Sequence, residues 1–158
     1  MAIEVTVKKR DPVTVASLSM KGPFSLMGEA FGRLFGWIGG NGYMPAGPPA
    51  GVYYNDPHQV AAEELLWEIY CPIGGDVSPS GPDEQGLSVK TIEGAEVAAT
   101  IHKGPYEQVA PTYGALAEWI MGNGYEIAGP PEEVYLTDPG STPPEEFLTE
   151  VRFPVTRK

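Results

Sequence analysis

Apolar positions in this chain recur with a period of two, then of three to four, then of two again, and the cycle occurs twice. Val5–Arg10 and Leu87–Ile92 alternate as strands. Val13–Ser19 and Glu96–Ile101 predict second strands, after turns at Asp11-Pro12 and Glu93-Gly94. Met27, Phe31, Leu34 and Ile38 then lie on one face of a helix, as do Val109, Tyr113, Leu116 and Ile120. Pro111 belongs in the first turn of the second helix, because an interior proline would cost about 3 kcal/mol. Gly-Asn-Gly at 40–42 and 122–124 stops each helix. Gly51–Asn55 and Glu133–Thr137 read as third strands, and Leu65–Cys71 and Phe147–Phe153 as fourth strands ended by Pro72 and Pro154.

This doubling reaches the residues themselves. A shift of 82 aligns the chain with itself without a gap, and 28 of 69 pairs from Val5/Leu87 to Ile73/Val155 are identical. GNGYMPAGPP at Gly40–Pro49 falls on GNGYEIAGPP at Gly122–Pro131, and VYYNDP at Val52–Pro57 falls on VYLTDP at Val134–Pro139. The chain, 1–158, therefore reads as one domain made of module one (3–73), a Gly/Pro/Ser linker (74–86) and module two (87–156). One module buries too little to stand alone. Two modules, each strand-helix-strand-strand with a bent or split first strand, predict an α+β fold. Its antiparallel sheet would have roughly eight strands and two main helices.

Strand parity sorts the fourth strands. Ile69, Cys71, Val151 and Phe153 make one apolar face; Glu68, Tyr70, Glu150 and Arg152 point the other way. Glutamate is a poor strand former. Glu68 and Glu150 nonetheless recur in both copies, and Tyr53 and Tyr135 recur on the neighbouring strands. These four are expected to project into one cleft. Trp37 and Trp119 share a helix position and read either as core packing or as a wall of that cleft.

Charge and composition narrow the chemistry. The net charge is −11, and Arg33 is the only basic residue between Gly22 and Val89, which disfavours direct nucleic-acid binding. No apolar run reaches the roughly 20 residues of a membrane span, and the N-terminus lacks a signal-peptide pattern, so a cytoplasmic location is expected. One cysteine, Cys71, and two unmatched histidines, His58 and His102, exclude a disulfide and a nucleophilic triad, and argue against a metal site. Both histidines are expected at the surface or in turns, and Cys71 as a small buried hydrophobe. Neither GxxxxGK[ST] nor GxGxxG occurs, so Lys21-Gly22-Pro23 and Lys103-Gly104-Pro105 are not phosphate loops. No cofactor is expected.

The unit pattern runs KGPY, a helix ending in GxGY, a short strand followed by DP, then EE and a strand with the form Leu148-Thr149-Glu150-Val151-Arg152-Phe153-Pro154-Val155. It resembles the GyrI-like small-molecule-binding superfamily, also called the AraC-type effector-binding domain, over about residues 3 to 156. The resemblance implies paired modules with an aromatic, carboxylate-bearing cleft that takes small apolar, amphipathic or cationic ligands. Carried onto this sequence, Glu150, Tyr135 and Arg152 match the implied lining and Glu68 and Tyr70 keep the Glu-x-Tyr form; with Tyr53, Trp119, Trp37 and Tyr113 from the residue patterns they make up the candidate ligand-binding set. Arg152 stands where the family often has an aromatic and would partly neutralise Glu150. The chain begins in its first strand with no helix-turn-helix, so a sensor or scavenger role is expected. A hydrolase of cyclopropane-bearing toxins, with Glu150 or Glu68 as acid or base, is the alternative the resemblance carries. A gyrase-inhibiting interaction module is a further one, with gyrase or a separate regulatory protein as partner.

Overall fold

Among the described residues the strands and α-helices form in the order β1 (Thr6–Arg10), β2 (Val13–Lys21), α1 (Met27–Gly40), β3 (Ala50–Tyr53), β4 (Leu66–Pro72), β5 (Leu87–Ile92), β6 (Ala95–Lys103), α2 (Ala110–Gly122), β7 (Tyr125–Ile127), β8 (Glu132–Tyr135) and β9 (Leu148–Arg157). The computed structural model describes residues 3–56, 59–138 and 140–158. Strand pairing within each unit described below is antiparallel, and the fold is α+β. Both helices end where the sequence places their stops. Gly42 and Gly124 take φ of +72° and +84°, a left-handed conformation that a side chain disfavours. Pro111 occupies the first turn of α2.

The chain divides into two compact units, Pro12–Glu93 (the first unit) and Met1–Asp11 together with Gly94–Lys158 (the second unit). Their limits differ from those of the sequence repeats because the leading strands are exchanged. β5, which opens the second repeat, pairs with β2 of the first, Val13 opposite Ile92 through Leu18 opposite Leu87. β1, which opens the first repeat, pairs with β6 of the second, Thr6 opposite Ala99 through Arg10 opposite Ala95. In the first unit the strand order is β3-β4-β2-β5. In the second it is β1-β6-β9-β8, with β7 paired to the end of β9. The segment 74–86 belongs to the first unit, where Ser80 bridges Val89 and Val77 packs on the core.

One helix covers one face of each sheet. In the first unit Leu34 and Ile38 of α1 bury against Ile69 and Cys71 of β4, Leu18 of β2 and Val89 of β5. In the second, Leu116 and Ile120 of α2 bury against Val151 and Val155 of β9 and Ala98 of β6. Each fully buried aliphatic side chain contributes roughly 1.5–3 kcal/mol. β7 is an element the periodicity did not predict. Its counterpart in the first unit is reduced to one bridge, Pro45 to Ile73, because proline has no N–H to extend a ladder. Among the described residues no helix is long and apolar enough to cross a membrane.

Candidate functional site

The register corrects the expected cleft. Tyr53 stands opposite Trp67 and Tyr135 opposite Thr149, on the helix-covered faces. Glu68 stands opposite Val52 and Glu150 opposite Val134, on the reverse faces. Successive strand residues point to opposite sides, so the paired tyrosines and glutamates do not line one surface. Tyr70 and Arg152 go with the glutamates. Tyr113, on α2, goes with the tyrosines.

On the reverse faces the two glutamates are held by lysines from the exchanged strands. Lys8 Nζ donates to Glu150 Oε1 at 2.6 Å, and Lys90 Nζ donates to Glu68 Oε2. Lys8 and Lys90 are themselves repeat partners. The doubled Glu is thus half of a doubled ion pair. Tyr54 Oη donates to the other Glu68 oxygen at 2.8 Å. Arg152 extends the second unit's network, donating to Glu150 at 3.3 Å and to Glu132 Oε1 at 2.8 and 3.0 Å, while Arg10 takes the second oxygen of Glu132. Tyr70 is buried. Trp37 and Trp119 pack on the rims of the two cores, Trp37 edge-on to Tyr43 and Trp119 stacked on Tyr125.

The helix-covered face of the second unit holds a different constellation. Glu133, half-buried on β8, accepts hydrogen bonds from Tyr113 Oη at 2.5 Å and Tyr135 Oη at 3.3 Å. Tyr106 packs edge-on to Tyr135, with centroids 5.4 Å apart, and stacks on Phe147 at 4.8 Å. Burial pushes the Glu133 carboxyl above its usual range, against the opposing pull of the two phenols and of His102. Burial also raises the Tyr106 phenol, and the charges of Glu133 and Asp138 add to it. Thr149, opposite Tyr135, is fully buried and its hydroxyl meets no partner among the described residues. His102 is buried on β6, a correction to the surface or turn position expected for it. Its Nε2 donates to the Pro105 carbonyl at 3.0 Å, and its Nδ1 lies 3.2 Å from the Thr112 hydroxyl. His58 lies outside the described residues.

The repeat shows how particular this constellation is. The first-repeat partners of Tyr106, Tyr113, Glu133 and Thr149 are Phe24, Phe31, Gly51 and Trp67. In the first unit the Trp67 indole fills the space and donates to the Gly22 carbonyl at 2.9 Å. Phe24 packs on Tyr53 and Trp67 with centroids 5.2 and 5.8 Å away. A Cβ on Gly51 would fall 2.7 Å from Tyr53 Oη, so the tyrosine occupies the place of a carboxylate stem. One copy is filled by aromatic rings with a single phenol, Tyr53; the other carries a carboxylate, three phenols and a hydroxyl on the same face. A search for residues retained in both copies passes over Glu133. The signal that finds it is the set of positions where the copies differ together.

The sequence matches the family described as GyrI-like small molecule binding domain over residues 3–156. The chain belongs to that family. A curated relative from Erwinia billingiae, named DNA gyrase inhibitor, is 28% identical over 158 residues, covering 98% of this chain and 99% of the relative. The C-terminal domain of EcmrR superposes with a TM-score of 0.80 at 22% identity, covering all of both chains. A protein from Listeria innocua described as a hydrolase superposes with a TM-score of 0.73 at 17% identity, covering 97% of this chain and 92% of that one. The family explains the doubled α+β architecture of this GyrI-like chain. No group of three His, Cys, Asp or Glu among the described residues could hold a metal ion.

Proposed function

We propose that this GyrI-like chain binds a small amphipathic organic cation on the helix-covered face of its second unit, with Glu133 as counter-ion and the rings of Tyr106, Tyr113 and Tyr135 as its apolar walls. One observation carries the reading. Glu68, Glu132 and Glu150 each have a lysine or arginine partner, whereas Glu133 is held by phenol hydroxyls and forms no ion pair among the described residues. A half-buried carboxylate without a cation gains most from one that arrives with a ligand. Aromatic faces add roughly 0.5–2 kcal/mol per cation–π contact.

Calorimetry with tetraphenylphosphonium and with neutral triphenylphosphine oxide tests this. Glu133→Gln should lower affinity for the cation about 10- to 150-fold, the equivalent of a charge-assisted contact of about 1.5–3 kcal/mol. It should affect the neutral compound far less. Glu150→Gln should leave cation affinity within about 3-fold, because Lys8 and Arg152 already neutralise that carboxylate. Equal losses for both ligands in Glu133→Gln would reject the counter-ion role.

The raised carboxyl of Glu133 supports a second reading, a hydrolase using it as a general acid. The described Listeria protein is its analogue in fold alone. Turnover of a cyclopropane-bearing substrate that disappears in Glu133→Gln while binding persists would favour this reading over simple binding.

A further inference from the structure

A groove of about 630 Å³ runs along β6 in the second unit, and Glu133 is not among its lining residues. Its origin can be read by comparing the two units. In the first, the residue before β5 stays in line with the sheet, and the Ser19 N–H donates to the Gly86 carbonyl at 3.0 Å. In the second, Ile101 is the partner of Ser19 and Glu4 the partner of Gly86. Ile101 has the same register to β9 that Ser19 has to β4, so its N–H points to the same edge. There the Glu4 carbonyl is taken instead by the Thr100 hydroxyl at 2.7 Å. Thr100 replaces Leu18, which has no hydroxyl. β1 accordingly starts at Thr6, one position later than β5 starts by the repeat. The chain peels from the sheet, and the edge of β6 from Thr100 to Lys103 opens into the groove.

We propose that this edge receives an extended, acidic peptide segment of a partner protein as an added strand. The main chain of such a segment replaces what Gly86 supplies in the other unit: a carbonyl for the Ile101 N–H. Its side chains meet Ile101, which is 51% exposed, and the Lys8 and Lys103 side chains that line the groove. Lys103 selects the charge. Its repeat partner Lys21 pairs with Glu64 at 3.2 Å, but Lys103 is exposed and has no ion pair among the described residues, in a chain of net charge −11. Glu150 in the groove is already matched by Lys8 and Arg152; Glu4 is exposed at the rim. This inference does not rest on the Glu133 reading.

The test is fluorescence anisotropy of the full chain with end-blocked, fluorescein-labelled octapeptides alternating valine with glutamate, glutamine or lysine. A glutamate peptide N-methylated at alternate amides serves as the control for strand pairing. The glutamate peptide should bind at least 10-fold more tightly than the lysine peptide, and N-methylation should abolish binding. Thr100→Val keeps the side-chain volume and frees the Glu4 carbonyl to close on Ile101. It should weaken the peptide at least 5-fold and slow hydrogen exchange at the Ile101 amide. Lys103→Glu should reverse the preference between the glutamate and lysine peptides and serves as the independent variant. No binding of any peptide at millimolar concentration would overturn the proposal, as would equal binding of the N-methylated peptide. A concentration-dependent dimer that competes with the peptides and is lost in Thr100→Val would assign the edge to a second copy of this chain and overturn it too.

Discussion

Glu133 and Glu150 lie on adjacent strands of one unit, carry the same functional group and differ in everything that surrounds it. Glu150 faces Lys8 and Arg152 on the reverse face; Glu133 faces phenols on the helix-covered face. The pH dependence of stability should therefore carry the mark of Glu133. Its carboxyl sits above the usual range in the folded state, so as pH rises the unfolded chain releases this proton first. Stability then falls from the ordinary glutamate range up to the raised folded value, and levels off above it. Glu133→Gln should remove that decrement. In urea melts the variant should gain stability relative to the parent as pH rises through and above the ordinary glutamate range, and the gain should plateau once Glu133 is fully ionised. A gap that does not change with pH would mean that Glu133 ionises as freely in the fold as in the unfolded chain.

Among the elements, the fourth strand of each repeat holds the most information, because it carries core residues on one face and the ion pairs on the other. The helices are simpler. Leu34 and Leu116 are repeat partners and both are fully buried. Truncating either to alanine should cost about 2–5 kcal/mol. The cost should be larger for Leu34, because Phe24, Trp67 and Tyr53 close the first unit's core and leave little room to collapse, while the face beside Leu116 carries the polar constellation. Denaturant midpoints of the two variants at matched m-values measure the difference; a larger loss at Leu116 would show that the polar face packs as tightly as the apolar one.

For the whole molecule the exchanged leading strands set the folding units. A fragment covering 1–73 holds a complete sequence repeat but lacks β5, so β2 keeps an unpaired edge and the core loses Leu87 and Val89. A fragment covering 12–93 holds β2, α1, β3, β4 and β5 and all of the first core's helix and sheet contacts. The second fragment should unfold cooperatively in urea and disperse its amide resonances, and the first should do neither. Cooperative folding of 1–73 would show that the exchange is dispensable.

Residue order alone was enough to recover the repeat, the two helices with their glycine stops, the four strands of each copy and the family. All of these depend on local periodicity, on glycine and proline conformations, or on the match between the copies. Which strand lies beside which was decided by tertiary structure. Periodicity assigns a residue to a face but does not name the partner, and Lys8 reaches Glu150 only because β1 crosses to the other repeat. The candidate site shows the same division. Tyr135 and Tyr113 were legible because one repeats and the other lies on a helix stripe. Glu133 was not, because its repeat partner is a glycine, and only the packed sheet brings the two phenols to its side. Glu68 and Glu150 recur for a reason the sequence holds but does not display. Each neutralises a lysine 22 or 142 positions away, and a charge taken out of water needs its partner within a few ångströms in space, whatever the distance along the chain.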